Sequence, residues 1–243
     1  MKIICSYLGG SHSYGLNTPA SDRDERGVYV DTDIASIIGL DKNEMKQNQN
    51  TQEDKVYIEF RNALRLLRSG NTQMIEALYN NKWELLDPIW AKVRHHRVSL
   101  VSSTKLFNVL RGYMQSELRL ANGERTGKLG GKRKEAVDTY GFSPKNFIQL
   151  IRLAWAGTVY FGEGFFPVNV MEINVIIGEK LLDIKTRPQF YTKEELNAFA
   201  ARWEELLVNA YDNRNFNTEF DENLANELCY EVYKPLLDSH KIV

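Results

Sequence analysis

Apolar and polar positions follow two rhythms along this chain, and one gives way to the other near Arg61. Before that point the apolar runs are short. Ile3-Ile4-Cys5-Ser6-Tyr7-Leu8 is rich in β-branched residues and stops at Gly9-Gly10, the pattern of a buried strand. Gly27-Val28-Tyr29-Val30 predicts a second strand. In Val56-Tyr57-Ile58-Glu59-Phe60 the apolar Val56, Ile58 and Phe60 alternate with Tyr57 and Glu59, which predicts a third strand with two different faces. The stretch from Asp41 to Lys55 is polar and irregular, and fits a hairpin arm or a mobile loop equally well.

Beyond Arg61 the period is helical. Leu64 and Leu67, then Met74-Ile75 and Leu78, predict two short helices broken at Ser69-Gly70-Asn71. Phe107, Leu110, Met114 and Leu118 line one helix face. Ser143-Pro144 reads as an N-cap followed by proline at the first helical position, ahead of Phe147, Ile151, Ala154 and Trp155. Thr192-Lys193-Glu194-Glu195 is a capping-box sequence, and Asp221 stands where it would cap a last helix carrying Leu224, Leu228 and Val232. The expected fold is α+β: a small mixed-sheet head over residues 1–95 and a mostly helical domain over 96–243. Inside the latter, residues 121–134 combine Gly123, Gly127, Gly130 and Gly131 with Arg125, Lys128, Lys132, Arg133 and Lys134. This basic, glycine-rich loop reads either as a solvated connection or as an arm that grips phosphates.

Composition narrows the field. At 243 residues and 43% hydrophobic, the chain can fill one sizeable core or two small ones. Lys plus Arg number 31 against 32 Asp plus Glu, a net charge of −1 that excludes a protein basic enough overall to coat nucleic acid. Cys5 and Cys229 match no metal or redox spacing and are too few for a disulfide scaffold. No uncharged apolar run approaches the roughly 18 residues that span a bilayer. The opening Met1-Lys2-Ile3-Ile4-Cys5-Ser6 turns polar too soon for a signal peptide. A soluble, cytoplasmic protein without a membrane partner is the expectation.

The chemistry concentrates between Leu8 and Val28. A strand that ends in Gly9-Gly10-Ser11 exposes backbone N–H groups and a hydroxyl at a tight turn, a setting for an anion. Farther on, Asp22 and Asp24 stand two apart at the entrance of a strand, so that both carboxylates project to one side. Two ionised carboxylates held together repel unless a cation joins them, and oxygen-only donors suit Mg²⁺ or Mn²⁺. A phosphate-binding turn beside a divalent-metal pair is what phosphoryl or nucleotidyl transfer requires.

The string Gly10-Ser11-His12-Ser13-Tyr14-Gly15-Leu16-Asn17-Thr18-Pro19-Ala20-Ser21-Asp22-Arg23-Asp24-Glu25-Arg26-Gly27-Val28 resembles the DNA polymerase β nucleotidyltransferase superfamily. More narrowly, it resembles the nucleotidyltransferases associated with RNA ligase and phosphatase genes. The likeness continues in Ile58-Glu59-Phe60-Arg61-Asn62, in Gly70-Asn71-Thr72-Gln73-Met74-Ile75-Glu76 and in Tyr140-Gly141-Phe142-Ser143-Pro144-Lys145. It departs from that family at Thr72, where proline is usual, and at Asn146 and Gln149, where histidines are. The resemblance implies transfer of a nucleoside monophosphate from a nucleoside triphosphate such as ATP to an acceptor hydroxyl, with pyrophosphate released. Asp22 and Asp24 would hold two Mg²⁺ (or Mn²⁺) ions. A third carboxylate is assigned to Glu59, on the polar face of its strand, with Asp54 as the rival. Gly10, Ser11, Ser13, Ser21 and Lys145 would bind the nucleotide, and Arg26 would pair with phosphate or hold Asp24 or Glu25 in place. An RNA acceptor is expected, with Lys128, Lys132, Arg133 and Lys134 as its contacts. The competing readings are nucleotidylation of a protein or small molecule, and a nucleotide-binding regulatory module of the antitoxin kind.

Overall fold

The structure is a computed structural model and describes residues 1–38, 45–49, 53–124 and 131–239. It divides into two compact units: Met1–Lys105 together with Thr218–Val243, and Leu106–Asn217. The division expected at residue 95 differs from this in two ways. The first unit runs ten residues further, into the start of a helix, and the end of the chain returns to it.

The first unit is built on a mixed sheet. Its strands are β1 (Lys2–Leu8), β2 (Arg23–Val30), β3 (Met45–Gln49), β4 (Glu53–Glu59) and β5 (Leu85–Leu86), in the order β3-β4-β2-β1-β5 among the described residues. β1 lies antiparallel to β2 and β5, β3 is antiparallel to β4, and β2 is parallel to β4. The polar stretch before β4 therefore contains a hairpin strand, while residues 39–44 and 50–52 lie outside the described ones. Among the described residues, α1 (Gly10–Tyr14), α2 (Ile34–Ile38), α3 (Phe60–Arg68), α4 (Thr72–Tyr79) and α5 (Pro88–His95) come from the same stretch of chain as the sheet. Phe60, expected at the end of the third strand, is instead the first residue of α3. Local sequence explains the helix starts. Asn71 caps α4 through the Met74 amide, and Asp87 caps α5 through the Ile89 amide with Pro88 behind it. Cys5, Val28, Tyr29, Phe60, Leu67, Ile75 and Trp90 are fully buried and form the core between sheet and helices. Each large apolar side chain so buried contributes about 1.5–3 kcal/mol.

The chain leaves this unit through the first turn of α6 (Ser103–Ala121). The second unit holds the rest of α6, α7 (Gly131–Tyr140), α8 (Pro144–Glu163), α9 (Val170–Ile173), α10 (Val175–Thr186) and α11 (Lys193–Asp212). Lys132, Arg133 and Lys134 thus lie on a helix rather than in the expected loop, and residues 125–130 are outside the described ones. Phe107 stacks flat on Tyr211 at 3.8 Å between ring centroids, with Phe161 edge-on to both. Thr192 and Glu195 make both bonds of the capping box at the start of α11. Arg152 is fully buried in α8, its Nε 3.4 Å from Gln149 Oε1.

α12 (Glu222–Ser239) belongs to the first unit, capped by Asp221, which accepts from the Leu224 amide. It buries Leu228 and Tyr233, and the Tyr233 ring meets Phe60 of α3 at 6.3 Å. No helix among the described residues is long and apolar enough to cross a membrane.

Candidate active site

The antiparallel pairing of β1 with β2 sets Leu8 opposite Glu25, so the Gly9-Gly10 turn falls beside the start of β2. There the Gly9 amide donates to the Asp24 carbonyl at 2.8 Å. Gly10 has a φ of +58°, and a Cβ on it would sit 2.8 Å from Asp24 Oδ2. The left-handed backbone and the close carboxylate both call for glycine. α1 begins at this turn without a side-chain cap, so no capping side chain takes up its first amides, which in any helix lie outside the intrahelical ladder.

Strand register then gathers the acids. Asp24 of β2 stands opposite Asp54 of β4. Like charges paired across neighbouring strands repel. A guanidinium offsets this: Arg26 Nη2 lies 3.1 Å from Asp54 Oδ2 and 4.0 Å from Asp24 Oδ2. Asp22 is exposed and stands at the entrance of β2, one residue before the strand begins. Ser21 holds the turn before it: its hydroxyl accepts from the Thr18 amide at 2.9 Å. Among the described residues, no group of three or more His, Cys, Asp or Glu side chains is placed to hold a metal ion. The carboxylates that do come together, Asp24 and Asp54, offer oxygen donors only, which fits a hard divalent cation.

Beneath the turn a cavity of about 120 Å³ is lined by Gly10, Ser13, Asp24, Arg26, Gln73 and Glu76, among others. Ser13 Oγ is buried and has no hydrogen-bond partner among the described residues. Glu76 is buried on α4 and accepts from the Tyr14 hydroxyl at 3.0 Å. Beside them, burial first and the Glu76 charge second push the Tyr7 hydroxyl well above its ordinary value, so it stays protonated. Sequence reasoning passed over Glu76. The signal was a charged residue inside the otherwise apolar run from Met74 to Leu78.

Glu59 has a different setting. It ends β4 opposite Tyr29, five residues from Asp54, or roughly 16 Å along an extended strand. Only 2% exposed, it caps α3 by accepting from the Asn62 amide at 3.1 Å. Its other oxygen meets Arg61 Nε at 3.2 Å and the Tyr233 hydroxyl. The structure does not bring Glu59 to Asp24. Lys145 is exposed in the first turn of α8, in the second unit. Arg133 is half-buried and Lys134 exposed on α7, with Lys132 in the same helix and Lys128 outside the described residues.

No curated protein matches the chain. A family model described as "RlaP: RNA repair pathway DNA polymerase beta family" matches residues 1–156. That span covers the glycine turn, both acidic strands and the first part of α8. The match takes in more than half of the chain, and the chain belongs to that family: it is a nucleotidyltransferase of the RlaP family in the DNA polymerase β superfamily.

Proposed function

We propose that the protein transfers a nucleoside monophosphate from a nucleoside triphosphate to a hydroxyl on RNA and releases pyrophosphate. The observation that carries this reading is the pairing of Asp24 with Asp54 beside the Gly9-Gly10 turn. Asp54, not Glu59, is the third carboxylate in this reading. Glu59 has its oxygens committed to a helix cap, an arginine and a tyrosine, whereas Asp54 is the in-register neighbour of Asp24. On the resemblance alone, Asp22, exposed at the mouth of β2, joins this pair as a further oxygen donor, a chemistry that suits Mg²⁺ or Mn²⁺. Bound there, two such ions would neutralise charge on the triphosphate and on the attacking oxygen.

The chain's own groups do the rest. The backbone N–H groups at Gly10 and Ser11, with the Ser11 and Ser13 hydroxyls, bind the outer phosphates and hold the chain of phosphorus atoms in line. The acceptor oxygen forms a bond to the α-phosphorus while the bond from that phosphorus to the bridging oxygen breaks. The pair of electrons leaves with pyrophosphate, and the acceptor proton passes to the Asp54 carboxylate. On the resemblance alone, Lys145 joins the triphosphate contacts. An RNA acceptor is supported by the description of the matched family and by the basic run Lys128, Lys132, Arg133 and Lys134.

Pyrophosphate release from each ribonucleoside triphosphate, with Mg²⁺ or Mn²⁺ and with or without total RNA, tests this reading. Asp24→Asn and Asp54→Asn are expected to lose about a hundredfold or more in rate, as removal of a metal-holding carboxylate should. Glu59→Gln is expected to keep its rate within about threefold, with any deficit appearing in stability instead. Full activity in Asp54→Asn would return the third role to Glu59. Release that ignores RNA would move the acceptor to proteins or small molecules, and binding without release would favour a regulatory module.

A further inference from the structure

We propose that Arg26 is a built-in counter-cation: its guanidinium occupies the ground between Asp24 and Asp54 that a divalent cation must take, so the two compete. This inference rests on the reading of that pair as the metal-holding carboxylates.

Three observations carry it. First, Arg26 follows Asp24 by two residues on β2, so both side chains leave the strand on one face, the face Asp54 shares by register. A single nitrogen, Nη2, serves both carboxylates, at 3.1 Å from Asp54 and 4.0 Å from Asp24. Second, the position is built into the fold. Tyr7 of β1 stands opposite Arg26, and a Cβ on Gly9 would lie only 2.5 Å from Arg26 Cγ. The absence of a side chain at Gly9 therefore makes the channel along which the arginine stem runs toward the acids. Third, the Arg26 and Asp54 side chains are both about 30% exposed. A partly solvated guanidinium can leave its carboxylates for water without stranding a buried charge. A buried pair would resist that exchange. The arginine thus acts as a positioning residue: its single charge offsets the repulsion between two like charges on one face and gives way when the cation arrives.

The test measures Mn²⁺ binding by the full chain without nucleotide, from the paramagnetic resonance signal of free Mn²⁺, together with thermal unfolding in chelator. Arg26→Gln is expected to bind Mn²⁺ about fivefold more tightly, the effect of removing a partly exposed ion-pair competitor. Its unfolding temperature in chelator should fall and should recover when Mn²⁺ is added. Arg26→Lys, which keeps the charge on a shorter reach, is expected to lie between wild type and Arg26→Gln on both measures, and it serves if the glutamine variant fails to fold. Unchanged or weaker Mn²⁺ binding in the Arg26 variants, with binding lost in Asp24→Asn and Asp54→Asn, overturns the competition alone. Mn²⁺ binding that survives both aspartate substitutions overturns the underlying reading of the site, and the competition with it.

Discussion

At Glu59 one carboxylate joins three elements. It closes β4, caps α3 and receives the Tyr233 hydroxyl from α12, all while 2% exposed. A buried carboxylate with hydrogen bonds removed is costly, because its desolvation is no longer compensated. Tyr233→Phe is therefore expected to lose about 1–3 kcal/mol of stability by thermal or urea unfolding. The rate of nucleotidyl transfer should stay within about twofold, since the residue touches neither Asp24 nor the glycine turn. Residue-level reading of the sequence singles out the glycine turn and Asp24 because their chemistry is local. It prefers Glu59 to Asp54 because alternation marks which face a side chain occupies but not which strand lies beside it. The parallel pairing of β2 with β4 joins positions about thirty residues apart, and nothing in the run from Glu53 to Lys55 announces it.

Among the elements, those with a full period or a capping residue were legible and those without were not. The pauses at Asn71, Ser143 and Thr192 open helices as their residue types require, although Ser143 spends its hydroxyl on Asn146 Oδ1 at 2.6 Å rather than on a backbone amide. The five-residue α1 and the two-residue β5 are too short to show a period. In the second unit, α8 passes close to both α6 and α11 at Gly157. A Cβ there would fall 2.5 Å from Leu110 Cδ1 and 2.7 Å from Leu207 Cδ1, and both leucines are fully buried. Gly157→Ala should therefore destabilise by about 1–3 kcal/mol through overpacking, despite alanine's better helix propensity. Urea unfolding measures it, and a gain in stability would show that the two leucines have room to yield.

Across the whole molecule, acid sensitivity follows from carboxylates held below their ordinary values. Burial pushes Glu25 up, but the Tyr57 hydroxyl and Lys55, whose Nζ is 3.1 Å away, outweigh it and leave the group below 4.5. At Asp87 burial is likewise outweighed by Lys2 at 2.7 Å and by the Ile89 amide, leaving the group below 3.8. Both contributions are complete above those ordinary values and disappear as pH falls through the lower folded ones. Thermal stability is expected to be flat from pH 7 to about 5 and then to drop below about 4.5, and Lys55→Met should flatten the upper part of that drop. Scanning unfolding between pH 3 and 7 distinguishes the two.

The return of the chain to its first unit also sets a schedule. Residues Leu106–Asn217 are synthesised after the sheet and before α12. At about 5–20 residues per second, that interval lasts about 6 to 22 s on the ribosome. Throughout it the nascent sheet carries Glu59 without Tyr233, and Phe60 of α3 without the ring that meets it. The first unit, though first made, is the last to be finished, so a stalled or prematurely ended chain would present a folded helical unit attached to an open, sticky head.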